Sequence, residues 1–393
     1  MPRRLALADV PTPAAVLDLD VLERNVAAMA AKARALGVAL RPHAKTHKCV
    51  EVARLQRADG ARGLTVATLP EARAFADHGF DDITWAVPVV LGRLGEVVEL
   101  ARRITFRVLV ESEAAADALE RAARDADLRL HVWLEVDSGQ HRTGVDPSSP
   151  LAVALARRLA RGGDAGSDAG PGTSGTGIVF DGILTHAGQG YWAKDREELV
   201  RAAAAERDVM VTLKARLEHE GVPVPGVSIG STPTMAVAPD LGGVTEVRPG
   251  NYVCNDFVQA ANGVCRVEDC ALAVLASVIS HQPGADHAVV DAGALALSKA
   301  RGPSDAARQR GYGPVLCGLV GHAVDPALCV RGVTQEPGIV AGAAPSDVEG
   351  RLPVGERVRI LANHSCLAAA LFDEYVVVRG EEVVDRWRIW RGR

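Results

Sequence analysis

The chain reads as an α/β protein, a (β/α)8 barrel of the TIM type followed by a β domain, and three observations predict this. From residue 14 to about 256, short apolar runs alternate with segments of helical periodicity, the pattern of βα units that wind a parallel sheet. Eight such runs can be counted, the number that closes a barrel. Beyond about residue 265 the pattern changes to short alternating runs broken by Gly and Pro, the mark of an all-β unit. At 393 residues the chain exceeds what a single core usually fills, so two domains are expected, a barrel over 14–262 and a β domain over 263–393.

Taken in order, Ala14 to Asp20 is an apolar strand that either starts the barrel or, together with residues 1–13, joins the β domain. Asp20 and Glu23 fit a capping box for the first long helix, whose Val26, Met29, Ala30, Ala33 and Leu36 recur at helical spacing until Gly37. Barrel strands are expected at Val38 to His43, Gly63 to Thr68, Ile83 to Val87 and Arg107 to Val110. The other four are expected at His131 to Asp137, Gly182 to His186, Gly226 to Gly230 and Val244 to Val247. Asp195 with Glu198 marks a second helix start. The Gly/Ser/Asp stretch over 162–177 has no periodicity and reads as a flexible surface insertion. In the second domain, strands are expected at Leu272 to Ile279, His287 to Asp291, Arg357 to Leu361 and Tyr375 to Val384.

Composition removes whole classes of function. Hydrophobic residues make up 48% of the chain but aromatics only 4%, which describes a packed globular protein rather than a ring-rich binding surface. A net charge of -5 without long like-charge runs gives no footprint for nucleic acid. No apolar run reaches the roughly 18 to 20 residues of a spanning helix, and the first residues lack the core of a signal peptide, so a cytoplasmic protein away from membranes is expected. Seven cysteines lie scattered without a CxxC pair, most of them read as small buried hydrophobes, with Cys366 set apart by its place two residues after His364.

The densest chemistry lies in Arg41-Pro42-His43-Ala44-Lys45-Thr46-His47-Lys48, directly after an apolar run. A solvated basic loop is one reading; a desolvated lysine at a strand end, able to form a Schiff base, is the other. The polar residues at the other expected strand ends decide between them. Thr68, Asp137 with Arg142, His186, and Ser231 with Thr232 would share one barrel face with Lys45 and His47, the face where such barrels keep their sites. Gly230-Ser231-Thr232-Pro233-Thr234 offers amides and hydroxyls that suit a phosphate monoester, although Gly-Ser-Thr also occurs in ordinary loops. Arg142 can serve a ligand's ring nitrogen or carboxylate, or an ion pair within the protein. His186 is either a core histidine or a member of this set. His364-Ser365-Cys366 is a His-x-Cys pair which, on a strand, would turn imidazole and thiolate to one side to hold a divalent ion with open positions.

This combination resembles the metal-activated pyridoxal phosphate enzymes of the D-threonine aldolase and D-serine dehydratase family, which are alanine racemase-like in the first domain. Four blocks carry the resemblance: Thr12-Pro13-Ala14 with Asp18-Leu19-Asp20; Arg41 to Lys48; Gly230 to Thr234 with Glu246-Val247-Arg248-Pro249-Gly250; and His364-Ser365-Cys366 near Asp373. The resemblance implies that Lys45 forms the internal aldimine and abstracts the α-proton. It implies that His43, Arg142, His186, Tyr191, Gly230, Ser231 and Thr232 bind pyridoxal 5'-phosphate, with Arg142 near the pyridine ring. It also implies that His364 and Cys366 bind zinc or manganese, and that the protein is a homodimer acting on small D-amino acids.

Such an enzyme acts as a lyase on D-β-hydroxy amino acids, with the metal at the β-hydroxyl. It either expels that hydroxyl, as D-serine or D-threo-3-hydroxyaspartate dehydratases do, or cleaves the carbon chain to glycine and an aldehyde. Aldolase members often carry Asp where this chain has Cys366, and a further histidine where it reads Gln189-Gly190-Tyr191-Trp192; retro-aldol cleavage needs a base there, so dehydration is the favoured expectation. Glu336-Pro337-Gly338 replaces a frequent Glu-His-Gly and leaves the substrate open. A metal-free racemase or decarboxylase, with Tyr312 as a base on the second face, and a non-enzymatic cofactor carrier are the remaining alternatives.

Overall fold

The computed structural model describes residues 5–162, 177–303 and 308–392, so most of the insertion expected over 162–177 lies outside the described residues. The chain divides into two compact units, one drawn from Met1–Met29, Thr46–Leu55 and Asn251–Arg391, the other from Ala30–Lys45, Gln56–Gly250 and Gly392–Arg393.

The first strand, β1 (Ala14–Asp18), belongs to the former unit. The latter holds the barrel: β2 (Ala39–Leu40), β3 (Leu64–Val66), β4 (Asp82–Pro88), β5 (Thr105–Val110), β6 (Arg129–Glu135), β7 (Gly177–Leu184), β8 (Val227–Ile229) and β9 (Glu246–Val247). All eight expected strands are present. They pair in parallel in the order β2-β9-β8-β7-β6-β5-β4-β3, and a parallel bridge from His43 to Thr65 closes the ring. Strands buried on both faces read as continuous apolar runs, and Val108, Leu109, Val110, Val132 and Leu134 are almost fully buried. One glycine is indispensable to the packing: at Gly182 (φ +125) an added Cβ would stand 2.0 Å from the carbonyl oxygen of Gly226.

The other unit is built on β10 (Leu272–His281), β11 (His287–Val290), β12 (Pro314–Leu316), β13 (Val324–Val333), β14 (Gly338–Ala341), β15 (Arg357–Leu361), β16 (Glu374–Arg379) and β17 (Glu382–Arg388). Because β10 pairs with both β11 and β15, the strands β10-β11-β14-β13-β12-β15 form a closed ring. Its interior is filled by short branched residues such as Val274, Val290, Val330, Val340 and Ile360. Along the same edge as β11, but over Leu272–Leu275, β10 pairs antiparallel with β1, which pairs in parallel with β16. The Ala14–Asp18 strand thus belongs to the β sheet and does not start the barrel, while Leu19 and Asp20 already open the first helix.

The first helix, Leu19–Ala35, begins two residues earlier than the capping box implied. Asp18 Oδ1 accepts from the Val21 amide at 3.1 Å, while Asp20 and Glu23 both bind Arg379. The second helix start is as expected: Asp195 caps Arg196–His219 by accepting from the Glu198 amide at 2.7 Å.

Candidate active site

The carboxyl ends of the barrel strands bring one set of side chains to a single pocket. Lys45 and His43 follow β2, Glu135 ends β6, Arg142 follows in the next loop, His186 follows β7, Gly230 follows β8 and Arg248 follows β9; all line the same cavity. The lysine segment is fixed from both sides. The His43 amide donates to the Pro249 carbonyl (3.0 Å) and that of Ala44 to the Thr65 carbonyl (2.7 Å), which ties the start of this loop to the adjoining strand ends.

The pocket has a strongly cationic rim. Lys45, Arg142 and Arg248 face one carboxylate, Glu135. Burial, with Lys45, Arg248 and Arg142 nearby, pushes the His186 imidazole well below its usual range, so His186 is neutral at pH 7. Burial pulls Arg248 down to about 10, against the attraction of Glu246, Glu206 and Glu135. Its guanidinium donates to Ser228 Oγ at 2.5 Å and to the Thr185 carbonyl. Burial also raises the Glu135 carboxyl, with Glu111 adding to the effect and the Thr143 hydroxyl opposing it. Thr143 donates to Oε1 at 2.8 Å, whereas the buried Oε2 has no hydrogen-bond partner.

Gly230 adopts φ +110, and a Cβ there would lie 3.2 Å from the Arg248 amide nitrogen. The Gly230 and Ala187 amides both donate to Glu206 Oε1, at 2.9 and 3.1 Å, so one buried carboxylate pins the strand ends that carry Gly230 and His186. Ser231 caps the short helix Thr232–Val237 in a reciprocal arrangement with Thr234; both Ser231 and Thr232 are buried. Tyr191 lies in the turn beyond His186, with ring centroids 6.4 Å apart. Two other strand-end residues are structural. Thr68 caps Leu69–Asp77, and Asp137 accepts from the Gly139 and His141 amides, shaping the loop that leads to Arg142.

His364 and Cys366 lie in the β unit, and not on a strand. His364 has extended geometry as the N-cap of the helix Ser365–Ala369, and Cys366 sits in its first turn. The two still approach each other, because a helix start bends the chain within two residues. Cys366 Sγ is 3.1 Å from Thr46 Oγ1, and Asn251 Nδ2 approaches it at 3.7 Å. His364 Nδ1 is 3.2 Å from Asp256 Oδ2. Burial would lower this imidazole, but Cys366 and Asp256 together raise it to about 11. Tyr312, the candidate second-face base, packs partly buried against the apolar core of the β unit.

Glu135 and Asp256 were not singled out from the sequence, and Arg248 entered only as part of the Glu246 to Gly250 block, without a role at the site. Arg248 and Glu135 carry the signal that identified the others, a polar residue at the end of a barrel strand; Asp256 carries none, since nothing in its local sequence points toward His364.

Residues 17–255 match the family model described as alanine racemase, N-terminal domain. The chain belongs to that family. Residues 271–378 of this alanine racemase family member match a second model, described as a putative serine dehydratase domain. The chain is 42% identical to D-threo-3-hydroxyaspartate dehydratase of Delftia sp. (strain HT23), over 98% of this chain and 99% of that one. It is 31% identical to a D-threonine aldolase of Arthrobacter sp. over 98% and 93%. Two solved structures of D-threo-3-hydroxyaspartate dehydratase mutants superpose with a TM-score of 0.91 at 41% identity. One, a cysteine-to-alanine mutant in the metal-free form, is covered over 100% of its length against 99% of this chain. The other, a histidine-to-alanine mutant, is covered over 97% against 99%. The two mutated positions lie two residues apart, the spacing of His364 and Cys366.

Proposed function

We propose that this alanine racemase family member is a pyridoxal phosphate- and divalent metal-dependent lyase that dehydrates D-β-hydroxy amino acids, with D-threo-3-hydroxyaspartate and D-serine as the first substrates to examine. The observation that carries the reading is the pocket itself, in which a lysine at a barrel strand end stands with two arginines, a neutral histidine and an unpartnered carboxylate oxygen. Near full-length similarity to a dehydratase of that substrate class supports it.

The residues present fit both groups. Three cations and a tightly turned Gly230-Ser231-Thr232 loop suit a phosphorylated aldehyde, and Lys45 supplies the amine that would hold it. Pyridoxal phosphate, when bound, supplies an acceptor for the electron pair left at the substrate's Cα. Lys45 Nζ takes the α-proton, on one face only, which selects one enantiomer. Neutral His186 adds no further positive charge beside that amine, and Arg142 and Arg248 hold anionic groups of the ligand. His364 and Cys366 offer one nitrogen and one sulfur, a donor pair suited to zinc; among the described residues no group of three or more His, Cys, Asp or Glu is arranged to hold an ion, so these two would leave positions open. The metal supplies Lewis acidity for a hydroxyl leaving group. Homodimeric assembly and cytoplasmic residence rest on the resemblance and on the sequence; among the described residues, no helix is long and apolar enough to cross a membrane.

Incubation with D-threo-3-hydroxyaspartate, D-serine and D-threonine, with and without zinc or manganese, tests this. A keto acid plus ammonia is expected; glycine plus an aldehyde would make the chain an aldolase, the reading that similarity to the Arthrobacter enzyme supports.

A further inference from the structure

Asp256 does more than its place in the chain requires. As the N-cap of the helix Phe257–Ala261 it needs one oxygen, and Oδ1 accepts from the Gln259 amide at 3.0 Å. The second oxygen, Oδ2, is fully buried with the rest of the side chain yet gathers four further donors: Asn251 Nδ2 at 2.7 Å, the Ser365 amide at 3.1 Å, the Ser365 hydroxyl at 3.5 Å and His364 Nδ1 at 3.2 Å. A cap alone gives no reason to place a carboxylate against an imidazole.

We infer that Asp256 is a positioning residue that presents His364 to the metal. This rests on reading His364 and Cys366 as ligands, and it adds which nitrogen binds and what holds it. Accepting from Nδ1–H fixes the imidazole as the tautomer whose lone pair is on Nε2, and the negative partner strengthens that nitrogen as a donor. Asn251 extends the arrangement: the Nδ2 group that donates to Asp256 also lies 3.1 Å from Ser365 Oγ and 3.7 Å from Cys366 Sγ, so one amide spans the supports of both candidate ligands.

D256N keeps the helix cap, because Asn caps helices about as well as Asp and leaves the Gln259 contact available, while the oxygen that accepts from His364, Asn251 and Ser365 is lost. With Oδ1 kept on that amide, the new NH₂ would face His364 Nδ1, drive the proton to Nε2 and block the binding nitrogen. Metal-stripped full-length protein is titrated with Zn(II) against a chromophoric chelator, and the electronic spectrum of the Co(II) form is recorded. The expected result is zinc affinity lowered by about 10- to 100-fold in D256N, and at least as far in D256A, with a changed Co(II) spectrum and an unaltered cofactor absorption band. Parental zinc affinity in D256N, alongside loss of binding in H364A, overturns the inference while leaving the ligand reading intact. Parental affinity in both H364A and C366A overturns the ligand reading itself.

Discussion

Arg41 Nε donates to Glu246 Oε2 at 2.6 Å inside the barrel, while the opposite edge of the same guanidinium holds Asp82 at 2.5 Å. The arginine is 2% exposed, so its charge depends wholly on these partners. Replacing it with methionine leaves the buried Glu246 without its ion-pair partner, whereas Asp82 keeps Arg107, and the variant should lose about 3–5 kcal/mol of stability. Urea unfolding of the barrel signal checks this; a loss under about 1 kcal/mol would mean the network is not needed. Glu246 also accepts from Ser228, which receives Arg248, so cofactor binding should weaken in the same variant.

Lys45→Ala should abolish the visible absorption of bound cofactor and reduce turnover by about 10²- to 10⁴-fold or more. Spectra of the purified variant after incubation with pyridoxal phosphate provide the readout, and a persistent band would assign the attachment to another lysine.

Chelation should remove turnover and spare the cofactor band, because Lys45 and not the metal would carry the cofactor. Zinc or manganese should restore the rate. Full activity after metal removal, verified by elemental analysis, would eliminate the metal's role.

Gly230→Ala combines an unfavourable φ with a Cβ held 3.2 Å from the Arg248 amide, a strain of order 1–3 kcal/mol. Weaker cofactor affinity and a lower Tm should appear together; unchanged values would show that the loop shifts without penalty.

Glu135 gives a pH signature. Its carboxyl is raised above 4.5 in the folded protein, so folding favours the protonated form, and that contribution is complete in acid and lost as the pH rises through the folded value. Glu135→Gln, studied without cofactor, should therefore be more stable than the parent near neutrality, with the difference closing below about pH 4.5. Melting curves across pH 4 to 8 test the sign.

The barrel was legible because each strand is an apolar run bounded by turn residues, and the parallel order follows from the helices between them. Lys45, His43, Arg142, His186 and Gly230 were legible for the same reason: strand ends converge. The convergence of His364 and Cys366 was legible but its cause was not, since a helix start and a strand can both bring i and i+2 together. Asp256 stayed hidden because its importance lies in a contact across more than a hundred residues, which no local pattern records. The start of the first helix is offset by two residues because Asp18, Asp20 and Glu23 all carry capping chemistry, and only the tertiary partner Arg379 decides which of them are engaged elsewhere.

The position of β1 bears on how the chain is made. Ala14 must wait for Leu275, and Ala15 for Tyr375, before either sheet partner exists. At the roughly 5 to 20 residues per second of synthesis, β1 stays unpaired for on the order of tens of seconds while the barrel segments appear behind it. A nascent chain stalled before Leu272 would thus carry an orphan apolar strand, a natural target for a chaperone, and completion of the β unit must follow synthesis of the barrel segments.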